Sequence, residues 1–210
     1  VKKNGGVVIL EECGSCNKYQ NEILAEEYKL LNLPFLNPTS QYIIERELKE
    51  ARLADYILCP SNHVAQSFII NGFPQEKCKI IPYGVNVELF KPQLLEKEKF
   101  TIIFVGSIGV RKGLIYLFEA IKILKDKYPI DALIIGKVDV EFLSIFKSYK
   151  CLFKHIESVQ HKELVDYYNS SSVFFLLCLD KGMAYVQLEA MACGLSIIST
   201  INSGAEAILN

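Results

Sequence analysis

The sequence predicts an α/β protein built on parallel β-sheets. From Tyr56 onward, short and nearly continuous apolar runs alternate with segments of helical periodicity. Such runs are typical of strands that helices cover on both faces, as in parallel sheets. A charged stretch that contains Pro92 interrupts the pattern just before a new strand. We therefore expect one domain over residues 1–92, a linker over 93–99 and a second domain over 100–210.

Each element follows from its own local pattern. The predicted strands are Val7–Leu10, Tyr56–Cys59, Lys79–Ile81, Thr101–Val105, Ala132–Ile135, Cys151–Lys154, Val173–Cys178 and Ser196–Ser199. Helices are predicted over Asn17–Leu31 and Ser40–Asp55, and from Ser61, a good N-cap, to about Gly72. A further helix carries Leu114, Leu117, Phe118, Ile121 and Leu124 on one face.

Composition narrows the possible partners and surroundings. A chain of 210 residues, 50% of them hydrophobic, can build one or two cores. The formal net charge of −1 gives no general attraction to nucleic acid, and we expect no nucleic acid partner. No apolar run approaches the roughly 20 residues of a membrane span. The odd count of 7 cysteines, mostly in apolar runs or helices, favours reduced thiols and a cytoplasmic location.

The segment Gly182–Gly194 lies between two apolar runs and predicts a loop, a helix and a strand. Gly182 opens the predicted helix, so the first free N–H groups can face a ligand, and such a terminus favours phosphate. Glu189 lies about two turns into that helix and can accept hydrogen bonds from sugar hydroxyls. Together these features suit a nucleotide-sugar diphosphate.

A second segment, Phe104–Gly113, predicts a glycine-rich loop after a strand. Gly106 permits close approach of the backbone, and Arg111 and Lys112 can bind phosphate oxygens. On composition alone, a solvated basic pair at the start of an amphipathic helix is the favoured interpretation. A P-loop is excluded, because no Gly-Lys-Ser/Thr follows at the required offset.

In order and spacing, these segments resemble the donor site of retaining glycosyltransferases of family 4. In that family a Glu, seven residues and a second Glu flank a Gly-Phe-Gly or Gly-Met-Ala loop. Here the loop is Gly182-Met183-Ala184 and the second Glu is Glu189. The resemblance covers roughly residues 55–208, and it includes Ile81–Pro92 and Asn202–Glu206. It implies a GT-B fold of two Rossmann-like domains, with the N-terminal one incomplete and the C-terminal one cut short.

The resemblance also implies a function. The enzyme would transfer a sugar from a UDP- or GDP-sugar to a glycan or lipid-linked acceptor with retention, in surface polysaccharide or lipopolysaccharide assembly. The donor is a substrate, and no cofactor or metal ion is expected. Gly106, Arg111, Lys112 and Gly182–Ala184 would bind the diphosphate, and Glu189 the ribose; backbone groups at Gly136 and Val159 would face the base. Peripheral association with the inner face of the membrane stays open.

Several residues depart from the family pattern. Lys181 occupies the position of the first Glu, which acts on the transferred sugar in relatives, and Asp180 beside it is the candidate substitute. Ser107 stands where an Arg is common, and Cys16 where some relatives place a His that faces the donor sugar. Lys181, Asp180 and Cys16 are therefore the candidate catalytic residues. An impaired or vestigial nucleotide-sugar-binding fragment is the second interpretation.

A third interpretation is a thiol redox protein. Cys13 and Cys16 form a C-x-x-C pair between a strand and a helix. The neighbouring carboxylates Glu11 and Glu12 oppose it, because they would raise the thiol pKa. A metal site is not expected, since His63, His155 and His161 are scattered and His161 reads as a surface residue.

Overall fold

A computed structural model describes residues 5–36, 38–95, 97 and 99–208. The chain divides into two compact units. Among the described residues, unit 1 comprises those within Val1–Tyr83, Leu179–Ala184 and Ile201–Asn210, and unit 2 comprises those within Gly84–Cys178 and Tyr185–Thr200. Two short segments from late in the sequence thus fold with unit 1. The domain boundaries at 92 and 100 stay a prediction.

Unit 1 contains a parallel sheet of order β1-β2-β3. Its strands are β1 (Ile9–Glu11), β2 (Tyr56–Cys59) and β3 (Cys78–Ile80), and its helices are α1 (Asn17–Leu30), α2 (Gln41–Leu53) and α3 (Asn62–Ile70). The predicted N-cap of α3 is confirmed, because the Ser61 hydroxyl accepts a hydrogen bond from the Val64 amide at 3.4 Å. Apolar side chains of β2 and α3, among them Ile57 and Phe68, form the core.

Unit 2 contains a five-stranded parallel sheet of order β6-β5-β4-β7-β8. Its strands are β4 (Phe100–Val105), β5 (Ile130–Ile135), β6 (Lys154–Ile156), β7 (Val173–Leu176) and β8 (Ser196–Ser199), and its helices are α4 (Leu114–Lys125), α5 (Leu143–Ser148), α6 (Leu164–Ser170) and α7 (Tyr185–Ala192). The predicted face of α4 is confirmed, because Leu114, Leu117 and Phe118 are buried. The chain order reverses between β4 and β7. In open parallel sheets, that reversal marks the crevice in which ligands bind.

Two predicted elements are wrong in position. Lys150–Leu152 forms a 3-10 turn rather than the start of a strand, and β6 begins only at Lys154. The apolar run is explained by Phe153, which is buried and stacks on Phe118 with ring centroids 4.7 Å apart. Helix α7 begins at Tyr185, so Gly182–Ala184 is a loop and Glu189 is the fifth helical residue rather than two turns in.

None of the helices within the described ranges combines the length and the apolar character that a membrane crossing requires.

Candidate functional site

The loop after β4 lies at the point where the strand order of unit 2 reverses. It passes through a 3-10 turn, Val110–Lys112, and enters α4 at Gly113. Gly113 has φ +63°, and a Cβ there would lie 2.0 Å from the carbonyl oxygen of Leu177. Only glycine therefore allows this loop to contact the loop after β7.

The two predicted phosphate ligands lie on this loop beside a carboxylate. Lys112 is 8% exposed and Arg111 is half-buried. Burial, and then the charge of Glu141, raise the pKa of Asp139 above its ordinary value, while the nearby Arg111 and Lys112 act in the opposite direction. Their charge is thus partly balanced by Asp139 from the loop after β5. The arrangement can exchange this partner for the phosphate groups of a ligand.

The loops after β5 and β6 carry the residues predicted to face a base. Gly136 approaches the loop after β4 so closely that a Cβ would lie 1.8 Å from the carbonyl oxygen of Gly106. The Nε2 atom of His155 donates to the carbonyl of Gly136 at 2.8 Å. Val159 is half-buried and follows β6. Three loops at the carboxyl ends of the strands thus carry the predicted site residues Gly106, Gly136 and Val159.

Glu189 is a buried carboxylate that is held from two sides. Its side chain is 7% exposed. Its Oε1 accepts a hydrogen bond from Nε2 of His161 at 2.7 Å, and its Oε2 accepts one from the hydroxyl of Tyr168 at 3.1 Å. Burial and Glu189 together raise the pKa of the Tyr168 hydroxyl above its ordinary value, so Tyr168 remains a donor.

The sequence identified Glu189 but missed both of its partners. A carboxylate in an apolar helix needs a partner or water, which signals that a partner exists without naming it. His161 is exposed, as predicted, yet it bonds to Glu189 across 28 positions of sequence. Tyr168 is fully buried, and no local pattern in the sequence indicates that its hydroxyl contacts Glu189.

In unit 1, Asp180 is the centre of a buried network. Its carboxylate accepts hydrogen bonds from the Ser15 hydroxyl at 2.5 Å, Nε2 of Gln20 at 2.5 Å and Nε2 of His63 at 2.8 Å. Burial alone would raise the pKa of Asp180, but the hydrogen bonds from His63, Ser15 and Gln20 outweigh it and lower that pKa. Asp180 is 0% exposed, so it would have to break all three contacts to reach a sugar. The sequence missed His63 as its partner.

The Gly182–Ala184 loop is held within the same unit. The Ser61 hydroxyl donates to the carbonyl of Gly182 at 2.6 Å, and a Cβ at Gly182 would lie 2.2 Å from the carbonyl oxygen of Cys13. Met183 and Ala184 are buried. The amide of Lys181 donates to a backbone carbonyl of the segment that follows β8, at 2.9 Å, and its side chain is half-buried.

Cys16 is part of the core of unit 1. It is 0% exposed, and burial followed by the charge of Glu47 raises its pKa to about 11. A redox thiol needs a lowered pKa and access to solvent, so the structure contradicts the thiol redox interpretation at Cys16. The same burial leaves the thiol no surface for contact with a sugar. Cys13 is exposed, and both thiols are free.

No cluster of three or more His, Cys, Asp or Glu side chains with the geometry of a metal site occurs among residues 5–36, 38–95, 97 and 99–208.

A family model described as "Glycosyl transferases group 1" matches residues 86–210. Among solved structures, the sucrose-phosphate synthase of Thermosynechococcus elongatus superposes with a TM-score of 0.72 at 18% identity, covering 94% of this chain and 51% of that one. HepE of Anabaena, in complex with UDP and glucose, superposes with a TM-score of 0.68 at 18% identity over 84% of this chain and 53% of that one. Both show the GT-B fold, as predicted.

The chain belongs to the group 1 glycosyl transferases, a family of enzymes, and the predicted resemblance is confirmed. A probable sucrose-phosphate synthase of Thermosipho melanesiensis is 31% identical over 67% of this chain and 37% of the relative. A sulfoquinovosyl transferase of Arabidopsis thaliana is 31% identical over 75% of this chain and 33% of the relative. This chain thus spans about a third of the length of these relatives.

Proposed function

We propose that this protein transfers a sugar from a UDP- or GDP-sugar to a glycan or lipid-linked acceptor, with retention at the anomeric carbon. The biological setting would be surface polysaccharide or lipopolysaccharide assembly, in the cytoplasm or at the inner face of the membrane. A capsular polysaccharide biosynthesis glycosyltransferase of Staphylococcus aureus, 30% identical over 64% of this chain and 36% of the relative, supports this setting. HepE, in complex with UDP and glucose, supports the donor class.

One observation carries the proposal. A nearly buried Lys112 and a half-buried Arg111 lie on the loop after the central strand, where the strand order reverses. A nearly buried cation is held by interaction with anionic groups. Arg111 and Lys112, adjacent on one loop, form a pair of cations that can bind the oxygens of a diphosphate. Stabilising the charge that develops on a departing nucleoside diphosphate is electrostatic catalysis by preorganised groups.

The remaining residues of unit 2 complete the proposed donor site. Glu189 accepts hydrogen bonds from the ribose hydroxyls, and backbone groups at Gly136 and Val159 contact the base. Gly106 allows the diphosphate to approach the backbone. The assignment of the Gly182–Ala184 amides to the diphosphate rests on the family resemblance and stays a prediction.

A second candidate is a protein that binds a nucleotide sugar and transfers it poorly. The contacts of Asp180 favour this candidate, because three donors hold its carboxylate away from solvent. Lys181 supplies the opposite charge at the position where the family carries a carboxylate. Cys16, the third predicted catalytic residue, is a buried thiol.

Calorimetric titration with UDP, GDP and their glucose conjugates, run beside a donor-hydrolysis assay, tests the proposal. Lys112→Ala should weaken UDP binding by roughly tenfold or more, because a lost phosphate contact of about 1.4 kcal/mol is a tenfold change. It should weaken UDP more than Glu189→Gln does. Lys122→Ala is the matched control, since Lys122 is an exposed lysine on α4.

Each outcome separates the candidates. Binding with hydrolysis supports a working transferase. Binding without hydrolysis supports the second candidate. If the folded parent binds neither nucleotide, or if Lys112→Ala binds UDP like Lys122→Ala, the donor site is wrongly assigned and the function is withdrawn.

A further inference from the structure

The two partners of Glu189 differ sharply in exposure. Tyr168 is 0% exposed and holds Oε2 from the interior of unit 2. The side chain of His161 is 64% exposed, whereas that of Glu189 is 7% exposed. The imidazole therefore lies on the solvent side of the carboxylate, and it leaves little of the carboxylate accessible.

This asymmetry limits how a soluble ligand can reach Glu189. A carboxylate has about four lone-pair sites, of which His161 and Tyr168 occupy one on each oxygen. A vicinal diol that binds in a bidentate manner must reach both oxygens from one direction. A soluble ligand has to approach from solvent, and the exposed imidazole of His161 is already bonded to the little-exposed carboxylate.

We infer that His161 occupies the place on Glu189 that the 2′,3′-diol of a nucleotide takes, so that nucleotide binding displaces the imidazole. The inference rests on the proposed function, because it takes Glu189 as the ribose ligand. Tyr168 keeps the carboxylate oriented while the outer partner changes. His161 thus competes with the nucleotide for Glu189 and is not a ligand of the nucleotide.

The surroundings of His161 fit a side chain that can leave. It belongs to the one-turn 3-10 segment His161–Glu163 that precedes α6, and its ring rests edge-on against Phe90 with centroids 5.2 Å apart. Phe90 is 1% exposed and also lies near Tyr168, with ring centroids 6.1 Å apart, so it stays in place as a wall when the imidazole turns into water. Displacement loses one hydrogen bond and one ring contact.

Titration of parent and variants with UDP tests the inference. His161→Ala should tighten UDP binding about threefold to tenfold, because the nucleotide no longer competes with a hydrogen bond to a charged group. His161→Gln retains an amide donor for Glu189 and should stay within about twofold of the parent. Circular dichroism verifies that the variants fold, which an exposed position favours.

Two controls tie the effect to the diol. The 2′,3′-dideoxy analogue of UDP should gain nothing from His161→Ala, because it has no hydroxyls to offer Glu189. In a Glu189→Gln background the gain should disappear. If His161 had only a structural role, His161→Ala would change the affinities for UDP and for its dideoxy analogue to the same extent.

Weaker UDP binding by His161→Ala, with binding that still depends on Lys112, would overturn the inference and leave the proposed function standing. An equal gain for UDP and its dideoxy analogue would also overturn it. If neither the parent nor His161→Ala binds UDP, the proposed function fails and the inference fails with it.

Discussion

Replacing Asp180 with alanine should destabilise unit 1 strongly. The carboxylate is 0% exposed and accepts hydrogen bonds from Ser15, Gln20 and His63. Alanine removes the acceptor and leaves these three donors without it. The late segment Leu179–Ala184, which carries Asp180, would lose its bonds to α1, to α3 and to Ser15, which precedes α1.

The size of the expected loss of stability depends on how deeply each donor is buried. Ser15 is 4% and His63 is 9% exposed, whereas Gln20 is half-buried and can turn to water. A buried donor left unsatisfied costs about 1–3 kcal/mol, so the two buried donors predict a loss of about 2–6 kcal/mol. Total stabilities of about 5–15 kcal/mol make such a loss easy to detect. The thermal midpoint should fall by roughly 2–4 °C per kcal/mol.

Urea denaturation followed by far-UV circular dichroism is the assay, because the chain has 0 tryptophans. Asp166→Ala is the matched control, since Asp166 is exposed on α6. The pKa of Asp180 is lowered in the folded state, so its contribution is present above the ordinary value of 3.8 and is lost as the pH falls through the lowered pKa. Equal midpoints for Asp180→Ala and Asp166→Ala at neutral pH would refute the reasoning.

Two further predictions concern unit 1. Burial and then two carboxylates of α2 raise the pKa of Glu12 from 4.5 to about 7, so folded-state stability should fall as pH rises between those values. Unfolding midpoints measured from pH 4 to 8 should lose this pH dependence in Glu12→Gln. They should keep it in Glu11→Gln, because Glu11 is exposed. The same pH dependence in both variants would contradict the assignment of the effect to Glu12. Iodoacetamide should label exposed Cys13 in the folded protein and reach Cys16 only after denaturation, as peptide mass spectrometry can measure. Prompt labelling of Cys16 would show that its burial is wrong.

The fold was largely predictable because its signals are local. The central strands of unit 2 are short apolar runs, and α4 shows its buried face at helical spacing. The predicted strand Cys151–Lys154 failed for a physical reason. An apolar run indicates burial but not the conformation of the backbone. Phe153 lies at the end of a 3-10 turn and is buried because it stacks on Phe118.

In the candidate site too, the features with local signals could be predicted and those that depend on distant residues could not. Lys112 and the glycines around it could be found because a strand, a loop and a helix start lie next to one another in sequence. The partners of the two key carboxylates could not. His161 is 28 positions from Glu189, and His63 is 117 positions from Asp180. Only tertiary packing brings these pairs together, and no periodic pattern in the sequence indicates which residues will pair.

The geometry of Asp180 bears directly on the chemistry at Lys181. The family carries a carboxylate at that position, and the neighbouring Asp180 could replace it only by leaving a network of three donors. These three hydrogen bonds hold Asp180 in unit 1, so Lys181 is the charged residue that remains at the family's position. Retained sugar transfer would therefore mean that this chain works with a cation where its relatives use an anion. Loss of transfer in Lys181→Ala but not in Lys181→Arg would assign that role to the positive charge itself.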